Sequence, residues 1–126
     1  LEREKGLLLE HDHIIWHHPL YWYSVPALMK EWFDIALEYG WAYGRGGNAL
    51  AGKQVTSVIT TGGSEEAYCP QGHNVYTIEE FLRPQERTAG LCGMRYNKPV
   101  VFFGALHFTQ TELDKAVTTY RQLLEG

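Results

Sequence analysis

Ile14-Ile15-Trp16-His17-His18-Pro19-Leu20-Tyr21-Trp22-Tyr23-Ser24-Val25-Pro26-Ala27-Leu28-Met29-Lys30-Glu31-Trp32-Phe33-Asp34 reads as a short apolar strand, a tight aromatic loop and an amphipathic helix. An unbroken apolar run such as Ile14 to Trp16 suits a parallel strand covered on both faces. Pro19 ends it, because a residue without an N–H cannot continue a central ladder. Ser24 offers a hydroxyl cap and Pro26 a pre-set φ for the first helical turn. Leu28, Met29, Trp32, Phe33, Ala36 and Leu37 then recur at helical spacing, with Lys30, Glu31, Asp34 and Glu38 mainly on the other side. Strand, loop and helix make half of a βαβ unit. In open α/β sheets ligands sit where such loops leave the C-terminal ends of strands. Residues 18–24 are therefore the first place to look for chemistry.

Outward from that stretch the same alternation continues. Leu1 to about Glu10 reads as the end of an amphipathic helix with Leu7, Leu8 and Leu9 inward, and Gly40 is placed to stop the helix that follows Ser24. A glycine-rich loop, residues 41–53, carries the aromatic anchors of an ordered segment. Gln54 to Ile59 is a second buried strand, broken by Thr60-Thr61-Gly62-Gly63. A long polar loop, 64–77, leads to a helix from about Ile78 that is interrupted at Pro84, resumes from Gln85 to Cys92 and closes at Gly93. Pro99 to Leu106 is a third strand, and Thr109 with Glu112 three residues on is a capping box for a last helix reaching Leu124. The order β-α-β-α-β-α with near-continuous apolar strands predicts a parallel sheet with helices on both faces.

A chain of 126 residues is one domain, here residues 1–126. The net charge of −4, with no basic run, argues against nucleic acid as a partner. No apolar run approaches the ~18 residues of a membrane helix. Two cysteines, Cys69 and Cys92, make no disulfide framework and fit a reduced, cytoplasmic setting. Aromatics at 13% suit a core, a flat conjugated ligand or a dimer interface. The chain opens on Leu1-Glu2-Arg3, in what reads as mid-helix and with no strand before it, so a longer parent chain is expected.

Two loops, then, leave the C-terminal ends of neighbouring strands: Pro19 to Trp22 and Thr60 to Gly63. Glycines let a ligand approach the backbone and leave N–H groups free to donate. An aromatic loop beside a glycine loop can hold a planar ring with acceptors at its edge, as a flavin has; a plain turn after a strand is the alternative on these residues alone.

The blocks His18 to Asp34, Gly40-Trp41-Ala42-Tyr43-Gly44 and Thr60-Thr61-Gly62-Gly63 resemble the flavodoxin-like NAD(P)H:quinone oxidoreductases, which include DT-diaphorase, the modulator-of-drug-activity proteins, bacterial general stress oxidoreductases and ancillary subunits of glutathione-gated potassium efflux systems. The resemblance covers nearly the whole chain and implies a flavodoxin-like three-layer sandwich whose first strand lies outside this sequence, together with the loop that holds the flavin phosphate. It implies non-covalent FMN or FAD, with NAD(P)H as electron donor and quinones or related electrophiles reduced by two-electron hydride transfer in a ping-pong cycle. By the same resemblance Pro19, Leu20, Tyr21 and Trp22 pack against the isoalloxazine, Thr60, Thr61, Gly62 and Gly63 donate to its pyrimidine edge, and Tyr68 and His73 stabilise charge on the reduced ring. His73 falls one residue before the family's His, at whose place stands Asn74. The resemblance also implies a homodimer, with Trp32, Phe33, Trp41 and Tyr43 as candidates for burial between subunits. The alternative function is a regulatory subunit docked on a potassium efflux transporter, peripheral at the inner membrane, with redox activity secondary; a flavin-binding protein without efficient turnover is a third.

The remaining chemistry-bearing residues have plainer readings. His11, His13, His17 and His18 lack a carboxylate or Cys at ligand spacing, so no metal is expected. Cys69 with His73 lacks an orienting third group for a nucleophile. Glu65-Glu66 reads as a solvated turn, and Arg45 and Lys53 as loop charges facing water.

Overall fold

The computed structural model describes all residues, Leu1–Gly126. Four strands form one parallel sheet: β1 (His13–Pro19), β2 (Gln54–Thr60), β3 (Arg95–Tyr96) and β4 (Val100–Phe102). β2 is central. It pairs with β1 along its whole length, His13 opposite Gln54 through Pro19 opposite Thr60. Its other edge takes β3 at Gln54 and Val55, then β4 from Val58 to Thr60. Those two short strands are one ladder interrupted at Asn97–Pro99, where the proline has no N–H to give. Asn97 patches the gap, its Nδ2 donating to Gln54 Oε1 at 3.2 Å and Thr56 Oγ1 at 3.0 Å. The third strand is accordingly split and starts earlier than the apolar run suggests. Its expected end, Gly104 to Leu106, turns away instead, through a left-handed Gly104 into a 3₁₀ turn at Ala105–His107.

Five helices flank the sheet: α1 (Glu2–Glu10), α2 (Ala27–Ala36), α3 (Ile78–Phe81), α4 (Arg83–Leu91) and α5 (Gln110–Glu125). Period-2 alternation divides β1 and β2 between two faces. Trp16, Val55 and Ile59 meet α1 to α4: Trp16 and Val55 share a core with Leu8, Ala42, Leu50, Ala89, Cys92 and Met94, and Ile59 packs with Ile78 and Leu82. His17, Thr60 and Phe102 face α5, with His17 5.2 Å from the Tyr120 ring. This is the three-layer arrangement the alternation predicts. The 41–53 loop is ordered: Ala42 and Leu50 are buried, and Lys5 Nζ lies 5.0 Å over the Trp41 ring.

Several local expectations are corrected. Ser24 does not cap α2; its backbone closes a turn with Tyr21, and Pro26 is the N-cap. Gly40 does not end that helix, which stops at Ala36; Gly40 instead opens the next turn, its N–H bonded to Tyr43 O at 2.7 Å. Pro84 does not interrupt a helix, because the break falls at Leu82 and Pro84 sits in the first turn of α4, where no N–H is needed. Trp32, Phe33, Trp41 and Tyr43 pack against the chain's own core while remaining partly exposed. β1 has β2 on one side only and alternates in burial, with Trp16 and His18 buried and His17 exposed. The expected capping box of Thr109 with Glu112 forms, and a second, of Thr77 with Glu80, opens α3.

Candidate active site

Both loops chosen from the sequence leave the same end of the sheet. β1 runs out at Pro19, and Leu20 N–H still reaches Thr60 O at 2.9 Å, so the two exits stay in register. The chain then doubles back. Tyr21 and Ser24 exchange two backbone hydrogen bonds, at 3.0 and 2.9 Å, around Trp22 and Tyr23. Both central residues have positive φ, 48° and 63°, as a type I′ turn demands. Asn-Gly is the usual occupant; here two aromatic residues carry the strain, of order 1–3 kcal/mol each. Tyr23 is held by stacking on Phe81 at 5.1 Å and by its hydroxyl donating to Asn74 Oδ1 at 3.1 Å. The Trp22 ring is 92% exposed.

The second loop is stiff. Thr61 is buried, its hydroxyl donating to Gly63 O at 2.8 Å and its N–H to Phe102 O at 3.2 Å. Gly63 O also accepts from Gly104 N–H at 3.0 Å. The N–H groups of Gly62 and Gly63 make no hydrogen bond within the chain. A Cβ on Gly62 would meet open space, whereas one on Gly63 would lie 3.3 Å from Tyr68 Oη and 3.5 Å from Asn74 Nδ2. A phenol and an amide thus converge on this glycine.

The 64–77 segment brings them there. A 3₁₀ turn at Glu65–Ala67 precedes Tyr68, whose ring rests on Phe81 and Phe103 at 6.2 and 5.8 Å. The chain then folds back so tightly that a Cβ on Gly72 would stand 2.4 Å from Glu66 O, which is why glycine is there. Asn74 N–H closes that fold on Ala67 O at 2.9 Å. Val75 follows at φ 66°, a genuine outlier for a β-branched residue.

Leu20, Trp22, Tyr23, Gly63, Tyr68, His73 and Asn74 line one open cavity of about 360 Å³. Of the residues picked from sequence, this unites Leu20, Trp22, Gly63, Tyr68 and His73. Pro19 at the strand end and Tyr21 in the turn lie outside the lining. Thr60 points its side chain under α5, into a separate cavity. Tyr23 and Asn74 were not among them. Asn74 carried a signal, because it stands where the resemblance places the family's His; Tyr23 lay within the 18–24 stretch, but its left-handed φ has no sequence signature.

The residues fit a flat conjugated ring: an aromatic wall, two free backbone donors and two polar side chains at one end, with open space over Gly62. The four clustered histidines do not converge. His11 Nδ1 donates to Leu7 O at 2.8 Å, His13 pairs with Thr56 Oγ1 at 2.8 Å, the His17 ring lies tilted against Tyr120, and His18 is buried in a network with Gln85. Burial pushes the His18 pKa below its ordinary value, against the raising effect of its bonds to Pro19 O and Gln85.

Comparison with known proteins places the chain in company. The family model described as flavodoxin-like fold matches residues 1–124. The chain is 46% identical over 124 residues to the glutathione-regulated potassium-efflux system ancillary protein KefG of Pectobacterium carotovorum, covering 98% of this chain and 68% of that one. Among solved structures, general stress protein 14 of Treponema denticola, in complex with FMN, superposes with a TM-score of 0.93 at 33% identity, covering 98% of this chain and 71% of that one. An NADPH-quinone reductase from P. pentosaceus superposes with a TM-score of 0.92 at 34% identity, covering 97% and 72%.

Proposed function

Because this chain belongs to the flavodoxin-like fold family, we propose that it is a flavin-dependent NAD(P)H oxidoreductase that reduces quinones or related electrophiles. The observation that carries this reading is the convergence of Tyr68 Oη, Asn74 Nδ2 and the free Gly62 and Gly63 N–H groups beside the Trp22–Tyr23 turn. A bound FMN or FAD supplies two-electron hydride chemistry between NAD(P)H and the acceptor. The chain's own part is to bind and to stabilise charge. Leu20 and the turn after it offer a wall for the ring. The glycine N–H groups and the Tyr68 phenol would be fixed donors toward negative charge developing on a bound ring, with no reorganisation required of them. Asn74 stands where the resemblance places the family's His, beside His73: its Oδ1 accepts from Tyr23, which leaves Nδ2, next to Gly63, free to donate into the cavity. His73 lines the cavity but is exposed.

Residues 1–126 act as one domain in this reading, in a cytoplasmic homodimer. The exposed apolar side chains of Trp22, Leu28, Ile35 and Tyr39 join the part-buried Trp32, Phe33, Trp41 and Tyr43 as the candidate interface. No helix is long and apolar enough to cross a membrane.

Likeness to a potassium-efflux ancillary protein favours a second reading: a regulatory subunit docked on such a transporter, with turnover secondary. Stopped-flow mixing of the flavin-loaded protein with NADPH or NADH, then with a quinone, separates the two. Rapid bleaching and quinone-dependent return of the 450 nm band supports the enzyme. Flavin binding without bleaching, joined to stimulation of potassium efflux, supports the subunit.

A further inference from the structure

A chain of buried hydrogen bonds crosses the molecule beneath the proposed site. Tyr96 on β3 donates through its hydroxyl to Ser57 Oγ on β2 at 3.2 Å. Ser57 donates to Gln85 Oε1 on α4 at 2.5 Å. Gln85 Nε2 donates to His18 Nε2 at 2.7 Å, and His18 Nδ1–H donates to Pro19 O at 2.7 Å. Ser57, His18 and Gln85 are 0%, 4% and 5% exposed. Each donor-acceptor choice forces the next: Ser57 spends its proton on the amide oxygen, so the amide can only donate to His18, so His18 must be the neutral Nδ1–H tautomer. The last proton fixes the carbonyl of Pro19, the residue at which β1 becomes the aromatic turn.

We infer that Gln85 is a positioning residue which, through the His18 ring, sets the Pro19 carbonyl and with it the direction of the 20–24 turn. This rests on the reading that the turn walls a flavin. An all-apolar core would have been simpler here, since a half-satisfied polar chain costs more than none. The four side chains join α4, β1, β2 and β3 to one backbone oxygen at the strand exit. The network stays silent to pH near neutrality. Gln85 and Ser57 do not titrate, His17 beside His18 adds a small repulsion, and Glu79 and Glu86 act on Tyr96 at the far end.

The test uses Gln85→Leu and Gln85→Glu, read by NMR of the His18 ring and by FMN binding from pH 5.5 to 8.5. In the parent protein the His18 Nδ1–H is protected and does not titrate at neutral pH. In Gln85→Leu that protection is lost and FMN binding weakens about tenfold, the scale of one buried hydrogen bond. In Gln85→Glu a carboxylate faces the ring, His18 titrates above its ordinary value, and FMN affinity becomes pH-dependent across that titration. An altered His18 signal in both variants with unchanged FMN affinity at every pH overturns the inference. If the parent protein binds no FMN at all, the flavin reading fails instead, and the positioning claim is then decided by whether the Tyr23 and Asn74 backbone signals shift in Gln85→Glu as His18 titrates.

Discussion

On one face of the sheet Trp16, Val55, Leu50 and Ala89 are sealed beneath α1, α2 and α4; on the other, α5 buries none of its residues. Its apolar side looks instead onto a cavity of about 630 Å³ walled by His17, Phe102, Val117 and Tyr120. The same strands serve both faces, so strand propensity is not the difference. One face has four helices to cover it and the other has one. The first face carries the cooperative core and the hydrogen-bond network under the turn. The second is loosely closed, and its cavity, which takes the Thr60 side chain, is separate from the candidate site.

Truncating a side chain on each face is the strongest way to break this comparison. Leu82→Ala, in the sealed core, should cost about 2–5 kcal/mol in denaturant unfolding. Leu113→Ala on α5, half exposed, should cost less than about 1 kcal/mol. Equal losses would show that α5 is as integral as α4. Next in size is Tyr68→Phe, expected to slow bleaching by NAD(P)H about tenfold, of order 1–2 kcal/mol, with flavin content unchanged. Asn74→Ala should slow it likewise, while His73→Ala should leave it within about twofold, on the same hydrogen-bond scale. Val75→Gly relieves a left-handed β-branched residue and should change stability by no more than about 1–3 kcal/mol, in the stabilising direction, although freedom gained by the unfolded chain offsets part of it. The smallest effect is that of pH on the sealed face. The folded pKa of His18 is depressed, so the stability it contributes is fully present above its unfolded value near 6.5 and is lost as pH falls through the folded value. Urea midpoints measured between pH 7.5 and 5 should fall, and His18→Gln should flatten that fall.

The strand at Gln54–Ile59 was legible as a parallel strand buried on both faces, and the unit at Ile14–Asp34 through its short apolar run and the helical spacing that follows, although β1 itself proves to be an edge strand that alternates in burial. The loops were legible as a site because topology places them at one sheet end. What was not legible depends on tertiary contacts. Ser24 looks like a cap, but its backbone satisfies Tyr21 instead. Trp32 and Trp41 look surplus to a small core until α1 is packed against them through Glu4 and Lys5. Tyr23 and Val75 adopt left-handed φ that their residue types disfavour, and only the stacking on Phe81 and the Gly72 fold account for them. The split of the third strand turns on one proline and on Asn97, whose side chain bonds across to β2.

The central claim is that a flavin ring lies over Gly62 and Gly63 beside the Trp22–Tyr23 turn. Titrating the purified protein and its Gly63→Leu variant with FMN, by quenching of flavin fluorescence, tests it most directly. Saturable quenching is expected in the parent protein and loss of binding by about tenfold or more in the variant, because the new side chain fills the space between Tyr68 and Asn74. Equal FMN affinity in the two, with the variant folded by circular dichroism, would contradict it.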